Sequence, residues 1–187
     1  MDLGTGDGRS VLTRATAEPG TLVLGIDAAA GAMAAASRRA TRNGLTNAVF
    51  LATGAEALSS VAWLAGVADR VSVTFPWGSL LRGTLGLDDG AILHSVAAVL
   101  RPGGGIEVLT SVIPSDGIVG IAILDQTSEA TIREAWARAG LALTDMCPAR
   151  RDDVLSSRSS WARRLGAGQV ARPTWRLVGS RPDAKAR

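Results

Sequence analysis

Short apolar runs alternate along this chain with Ala-rich stretches in which apolar positions recur every three or four residues. The runs predict strands over residues 21–26, 48–52, 70–75, 105–112, 141–147 and 173–179. The recurring patterns predict helices over 9–17, 30–43, 88–100 and 128–139, the last with Ser128 as its N-cap and Gly140 as its stop. Strands that alternate with helices in this way predict an α/β fold, a doubly wound and mostly parallel sheet covered on both faces.

A single domain is expected over residues 1–180, without internal repeats or low-complexity linkers. Within it, residues 150–170 are polar, rich in Ser and Arg, and lie between two predicted strands. They predict an insertion, about 148–172, that carries function rather than core, and residues 181–187 form a basic tail. Asp2-Leu3 reads as the last part of a strand, because a glycine-rich loop follows at once. The N-terminal strand is therefore expected to be truncated, with a longer product in the native protein.

Composition narrows the class. Of the 187 residues 47% are apolar, yet no run approaches the roughly 20 residues that span a bilayer, and the start lacks a signal-peptide pattern. A cytoplasmic protein without a membrane partner is expected. The lone Cys147 and the lone His94 are read as structural, and no metal is expected. The net charge of +3 is unevenly spread: residues 1–147 carry 10 basic against 14 acidic side chains, and residues 148–187 carry 10 against 3. That basic density, interrupted by Trp161 and Trp175, suits a polyanion such as nucleic acid.

The loop Asp2-Leu3-Gly4-Thr5-Gly6-Asp7-Gly8 sets three glycines at alternate positions directly before a helix. Glycine there allows positive φ and a close approach of ligand to backbone, and the helix N-terminus beyond favours an anionic group. A nicotinamide fingerprint needs its third glycine three positions after the second, whereas Gly8 lies two after Gly6. The spacing, with the leading Asp2, resembles motif I of class I S-adenosylmethionine (SAM) methyltransferases. Asp27 ends the next strand about 20 residues on, where a carboxylate can accept both hydroxyls of a ribose. Thr53-Gly54-Ala55-Glu56 follows the third strand, either as an adenine border or as an ordinary turn. Leu100-Arg101-Pro102-Gly103-Gly104 resembles the turn that methyltransferases carry before their fifth strand.

On the target side, Phe75-Pro76-Trp77 follows the fourth strand with no Asn or Asp to accept an amine proton. A ring nitrogen is then the expected nucleophile, since its lone pair is free at neutral pH. Phe75 fits core packing as well as a site role. Asp2-Leu3-Gly4-Thr5-Gly6-Asp7-Gly8-Arg9, Phe75-Pro76-Trp77-Gly78-Ser79-Leu80-Leu81-Arg82-Gly83, the block Ser157-Arg158-Ser159-Ser160-Trp161-Ala162-Arg163-Arg164-Leu165-Gly166, and Arg172-Pro173-Thr174-Trp175-Arg176-Leu177 together resemble the aminoglycoside-resistance 16S rRNA methyltransferases that modify N1 of adenine 1408. The resemblance runs from residue 2 to about residue 179.

That resemblance implies a Rossmann-like class I methyltransferase sheet, mostly parallel with an antiparallel last strand, with SAM as cofactor, the 30S subunit as partner, and a monomer in solution. Asp2, Gly4, Thr5, Gly6, Asp27, Ala55 and Glu56 would hold the cofactor. Trp77 and Trp161 would clamp a flipped adenine, Pro76 would accept from its amine through the backbone carbonyl, and Phe75 would support them. Ser159 would position Trp161 or the cofactor. Arg38, Arg39 and Arg42 on one helix, with Arg163 and Arg164 beside the base, would grip phosphates. Without the resemblance, the first three read as a solvated helix face. No acid or base is needed, because the methyl donor is already activated and catalysis is positioning. The rivals are a methyltransferase for a small molecule, which would not need the basic aromatic insertion, an inactive truncated remnant, and a dehydrogenase, which the glycine spacing opposes.

Overall fold

A computed structural model describes residues 1–157, 167 and 172–183. Seven strands form one sheet in the order β3-β2-β1-β4-β5-β7-β6. They are β1 (Asp2–Leu3), β2 (Val23–Asp27), β3 (Ala48–Ala52), β4 (Ala68–Thr74), β5 (Leu100–Thr110), β6 (Ala142–Pro148) and β7 (Trp175–Ser180). β7 runs antiparallel to both its neighbours, and the other pairings are parallel, as expected. β1 is only two residues long, but it is an interior strand, with Asp2 opposite Gly25 on one side and Ser72 on the other. Chain order reverses beside it, which makes the carboxyl ends of β1 and β4 the switch point where such sheets bind ligands.

Alternation within the strands explains the two layers. In β2, Leu24 and Ile26 enter the large core, whereas Val23 joins Val11 and Ala15 of helix α1 (Arg9–Ala17) on the opposite face. In β4, Val71 and Val73 face the large core. Against them pack α3 (Gly78–Thr84), α4 (Ala91–Val99) and α5 (Glu129–Arg138) through Leu81, Leu85, Ile92, Val96 and Trp136. The Trp136 indole donates to the Thr84 carbonyl at 3.0 Å, so the largest buried side chain has no stranded polar atom. Helix α2 (Ala30–Arg42) buries Met33, Ala36 and Ala40 and turns Arg38, Arg39 and Arg42 to solvent.

Several boundaries differ from expectation for local reasons. α4 starts at Ala91 rather than 88, because the carboxylates of Asp88 and Asp89 accept from the amides of Gly90 and Ala91 and hold a turn there, with Gly90 at φ 83°. Ser128 stands at the N-cap of α5, as expected, but without a side-chain capping bond. Asp125 caps the 3-10 turn (Gln126–Ser128) that leads into the helix, its Oδ1 accepting from the Thr127 amide at 2.9 Å. Gly140 stops it in the left-handed region as expected. The Leu100–Gly104 turn is the first part of β5, where Gly103 donates to Arg181. Two helices were not anticipated, α3 and α6 (Arg151–Ser156).

Candidate active site

The glycine loop is fastened to β2 from below. The amides of Gly4 and Thr5 both donate to the Ile26 carbonyl, at 2.8 and 3.0 Å, and the Gly6 amide donates to Asp27 Oδ2 at 2.8 Å. Gly4, Gly6 and Gly8 have φ of 73°, 58° and 70°, so each turns the chain as a side-chain-bearing residue rarely does. Their surroundings differ. A Cβ on Gly8 would stand 2.7 Å from Phe50 and 2.8 Å from Ala36, whereas one on Gly6 would meet nothing within 4 Å. Gly8 therefore lets α1 pack closely, and Gly6 opens onto empty space.

That space is a cavity of about 540 Å3, within the range of small-molecule and cofactor sites. Asp2, Gly4, Thr5, Gly6, Asp27, Ala55 and Glu56 line it, together with Phe75, Pro76 and Trp77. The structure thus brings the expected cofactor residues and the expected target loop to one place. Asp2 is buried and accepts three hydroxyls: Thr5 at 2.8 Å and Ser10 on Oδ2, and Ser72 at 3.2 Å on Oδ1. Asp27 accepts one amide on each oxygen, Gly6 on Oδ2 and Ala29 on Oδ1 at 2.8 Å. A carboxylate oxygen takes more than one hydrogen bond, so each keeps capacity for a ligand hydroxyl. An open glycine cradle beside a carboxylate with spare acceptor capacity fits a nucleoside-bearing cofactor such as SAM.

The rim of the cavity is strained at one point. Phe75 takes φ 48°, alone in the left-handed region among the described non-glycine residues. Its amide donates to Leu109 at 2.7 Å, and its ring is buried with Leu109, Ala149, Val154 and Ala167. Phe75 thus packs a small core, one of the two readings the sequence left open, and it also borders the cavity. Trp77, next to the rim and 46% exposed, opens α3 and leaves a large aromatic surface accessible.

Other lining residues were assigned no role from the sequence. Ser10 binds Asp2 from the first turn of α1, and Leu80 of α3 stands so close to Gly4 that a Cβ there would lie 2.4 Å from its Cδ2. Thr74 and Ser157 complete the wall. Ser159, Trp161, Arg163 and Arg164 lie outside the described residues. Arg38, Arg39 and Arg42 line no part of the cavity; they stand on the exposed face of α2, whose N-terminal Ala32 does line it. Among the described residues, no cluster of His, Cys, Asp and Glu could hold a metal ion, and no helix is long and apolar enough to cross a membrane.

Outside the cavity the most buried ion pair among the described residues joins Arg172 to Asp116 through two bonds, of 3.0 and 2.6 Å, with the side chains 11% and 6% exposed. The Arg172 guanidinium holds the Asp116 carboxyl below the usual carboxylate range, against the opposing effect of burial. Burial pushes the Cys147 thiol up, aided by the neighbouring Asp145, which makes it a poor nucleophile.

Residues 1–178 match the model of the NpmA family, 16S rRNA (adenine(1408)-N(1))-methyltransferase. A protein of that name from Streptoalloteichus tenebrarius is 34% identical over 175 residues, covering 88% of this chain and 79% of its own length. One from Escherichia coli is 29% identical over 181 residues, covering 90% of this chain and 81% of its own. Among solved structures, a tryptophan-to-alanine variant of the 16S rRNA (adenine(1408)-N(1))-methyltransferase from Catenulisporales acidiphilia, crystallised with its cosubstrate SAM, superposes with a TM-score of 0.86 at 30% identity over 100% of this chain and 86% of that one. The 16S rRNA methyltransferase KamB gives 0.80 at 28% identity, covering 97% of this chain and 86% of its own. Matched over residues 1–178 by the family model and 34% identical to a relative of that name, the chain belongs to the SAM-dependent 16S rRNA (adenine(1408)-N(1))-methyltransferase family.

Proposed function

We propose that this chain transfers the methyl group of SAM to N1 of adenine 1408 in the decoding site of 16S rRNA within the 30S subunit, and so confers aminoglycoside resistance. The observation that carries the reading is that one cavity joins the Gly6–Asp27 cradle to the Phe75-Pro76-Trp77 rim, in a chain that matches the family almost end to end.

Bound SAM supplies an electrophilic methyl on a sulfonium. Asp27 accepts the ribose hydroxyls, Ala55 and Glu56 border the adenine, and the backbone of Gly4, Thr5 and Gly6 lies against the cofactor. Asp2, steadied by the Thr5, Ser10 and Ser72 hydroxyls, presents a negative charge to its cationic end. Trp77 stacks on one face of the flipped target base and Trp161 on the other, with Ser159 in support. Stacking of this kind contributes roughly 1–3 kcal/mol per base, enough to offset the few kcal/mol of unstacking. The Pro76 carbonyl accepts from the exocyclic amine and aims N1 at the methyl, while Phe75 holds the rim in its strained turn. No side chain need remove a proton, because N1 attacks through a free lone pair. Rate enhancement then comes from alignment at near-attack distance.

Arg38, Arg39 and Arg42 from α2, and Arg163 and Arg164 from the insertion at about 148–172, bind rRNA phosphates. Residues 1–180 act as one domain and 181–187 as a basic tail, in a cytoplasmic monomer that uses no metal. The product is cationic, so it repels polycationic aminoglycosides and removes an acceptor from their site. Incubation of 30S subunits with this chain and methyl-labelled SAM tests the reading: label is expected in 16S rRNA, and unlabelled 16S rRNA from a chain shown to bind SAM would contradict it.

A further inference from the structure

Helix α4 is apolar except at its exposed His94 and at Ser95, which is 1% exposed. A hydroxyl buried to that depth needs partners, and Ser95 finds two in another element. Its Oγ donates to the Glu56 carbonyl at 2.8 Å, 39 positions back in sequence, and lies 3.2 Å from the Ser59 Oγ. Both partners belong to the 3-10 helix Ala55–Ser60, whose first two residues line the cofactor cavity.

Ser95 itself does not line that cavity. Ile92, one turn earlier on the same face of α4, does, and so do Gly54, Ala55 and Glu56. The Glu56 side chain folds back over Gly54, so closely that a Cβ there would lie 2.1 Å from its Oε1. This wall of the cavity is thus a short backbone stretch that the Ser95 hydroxyl grips from behind. A 3-10 helix has poorer hydrogen-bond geometry than an α-helix, so its path depends the more on such an outside bond.

We propose that Ser95 is a positioning residue for the nucleobase wall: by holding the Glu56 carbonyl it keeps Ala55 and Glu56 in register with the adenine of SAM, and so sets the preference of the cavity for adenine over other purines. This inference rests on the reading of Ala55 and Glu56 as the adenine border. Purines of one size differ in where they donate and accept, so a wall tells them apart only while its backbone is fixed. A hydroxyl that merely stabilised the fold would affect every ligand of the cavity alike.

The test compares Ser95→Ala, Ser59→Ala and the unchanged chain by calorimetry with two ligands, S-adenosylhomocysteine and S-inosylhomocysteine, which carries a carbonyl in place of the adenine amine. The unchanged chain should prefer the adenine compound. In Ser95→Ala that preference should fall about tenfold, chiefly through weaker adenine binding, because the Glu56 carbonyl loses its buried donor. Ser59→Ala keeps that donor and should keep the preference within about twofold. If Ser95→Ala fails to fold, Ser95→Cys fills the same space with a weaker donor and should lower the preference at least about threefold. An unchanged preference in the folded Ser95 variant, both affinities falling in step, or an equal loss in Ser59→Ala would overturn the role of Ser95. RNA takes no part in these measurements, so a chain that binds S-adenosylhomocysteine but leaves 30S subunits unmethylated contradicts the target reading alone. An unchanged chain without preference for adenine contradicts the adenine border, and the role of Ser95 with it.

Discussion

The Gly6 amide donates to Asp27 Oδ2 across 2.8 Å and 21 positions of sequence, locking the glycine loop after β1 to the acid that ends β2. The same carboxylate is therefore a hinge of the loop and a wall of the cavity. Asp27→Asn keeps the shape but replaces one acceptor with a donor that faces either the Gly6 or the Ala29 amide. Cofactor affinity should fall about tenfold or more, because a charge-assisted hydrogen bond is lost and a donor meets a donor. Calorimetry with SAM checks this, and unchanged affinity would remove Asp27 from the site.

Phe75 supplies a prediction with two opposing parts. Its φ of 48° strains a bulky residue, so Phe75→Gly relieves about 1–3 kcal/mol of backbone strain while giving up the ring packed on Leu109 and Val154. Loss of a buried aromatic costs about 3–5 kcal/mol, so packing wins and the variant should be less stable in urea. Phe75→Leu retains most of the packing without relieving the strain, and should unfold closer to the parent.

Away from the site, Trp136 ties α5 to α3 and β7. A Cβ on Gly179 would meet its ring at 2.7 Å, and its indole donates to Thr84. Trp136→Ala should cost about 3–5 kcal/mol, seen as a lower urea midpoint. A loss below about 1 kcal/mol would mean that the core around it refills.

The Arg172–Asp116 pair gives stability a pH dependence of known sign. The folded-state pKa of Asp116 is depressed, chiefly by its hydrogen bonds from Arg172, so its contribution is fully present above the ordinary carboxylate range near about 4. That contribution is lost as pH falls through the lower folded value. Urea midpoints of the parent and of Asp116→Asn should differ at pH 6 and converge as pH drops below about 4. A constant gap would show that the carboxylate does not titrate with folding.

How far the sequence could be read follows from the range of its signals. β2, β3 and α2 were legible because their apolar period is local, and Gly4, Gly6 and Asp27 because alternate glycines followed by an acid constrain backbone shape directly. α3 escaped notice because seven residues with two glycines offer no periodic window. α6, at six residues, lies in a stretch whose polarity reads as loop. Ser10 bonds to a residue eight positions away and Arg172 to one 56 away, partnerships that only the folded chain creates. The Phe75 backbone was invisible for another reason: its unusual φ is imposed by the Leu109 contact and the cavity rim, not by its own preference. Ser128 is the N-cap residue of α5, as the sequence predicts, but it makes no side-chain capping bond, because the 3-10 turn before it, capped by Asp125, already leads the backbone into the helix.

The most direct test of the account is primer extension across the decoding site of 30S subunits treated with this chain and SAM. N1 methylation blocks base pairing, so the account predicts a new stop at adenine 1408 that disappears with Trp77→Ala, a substitution at a half-exposed position that should leave SAM binding intact. Read-through at that adenine, by a folded chain shown to bind SAM, would contradict it.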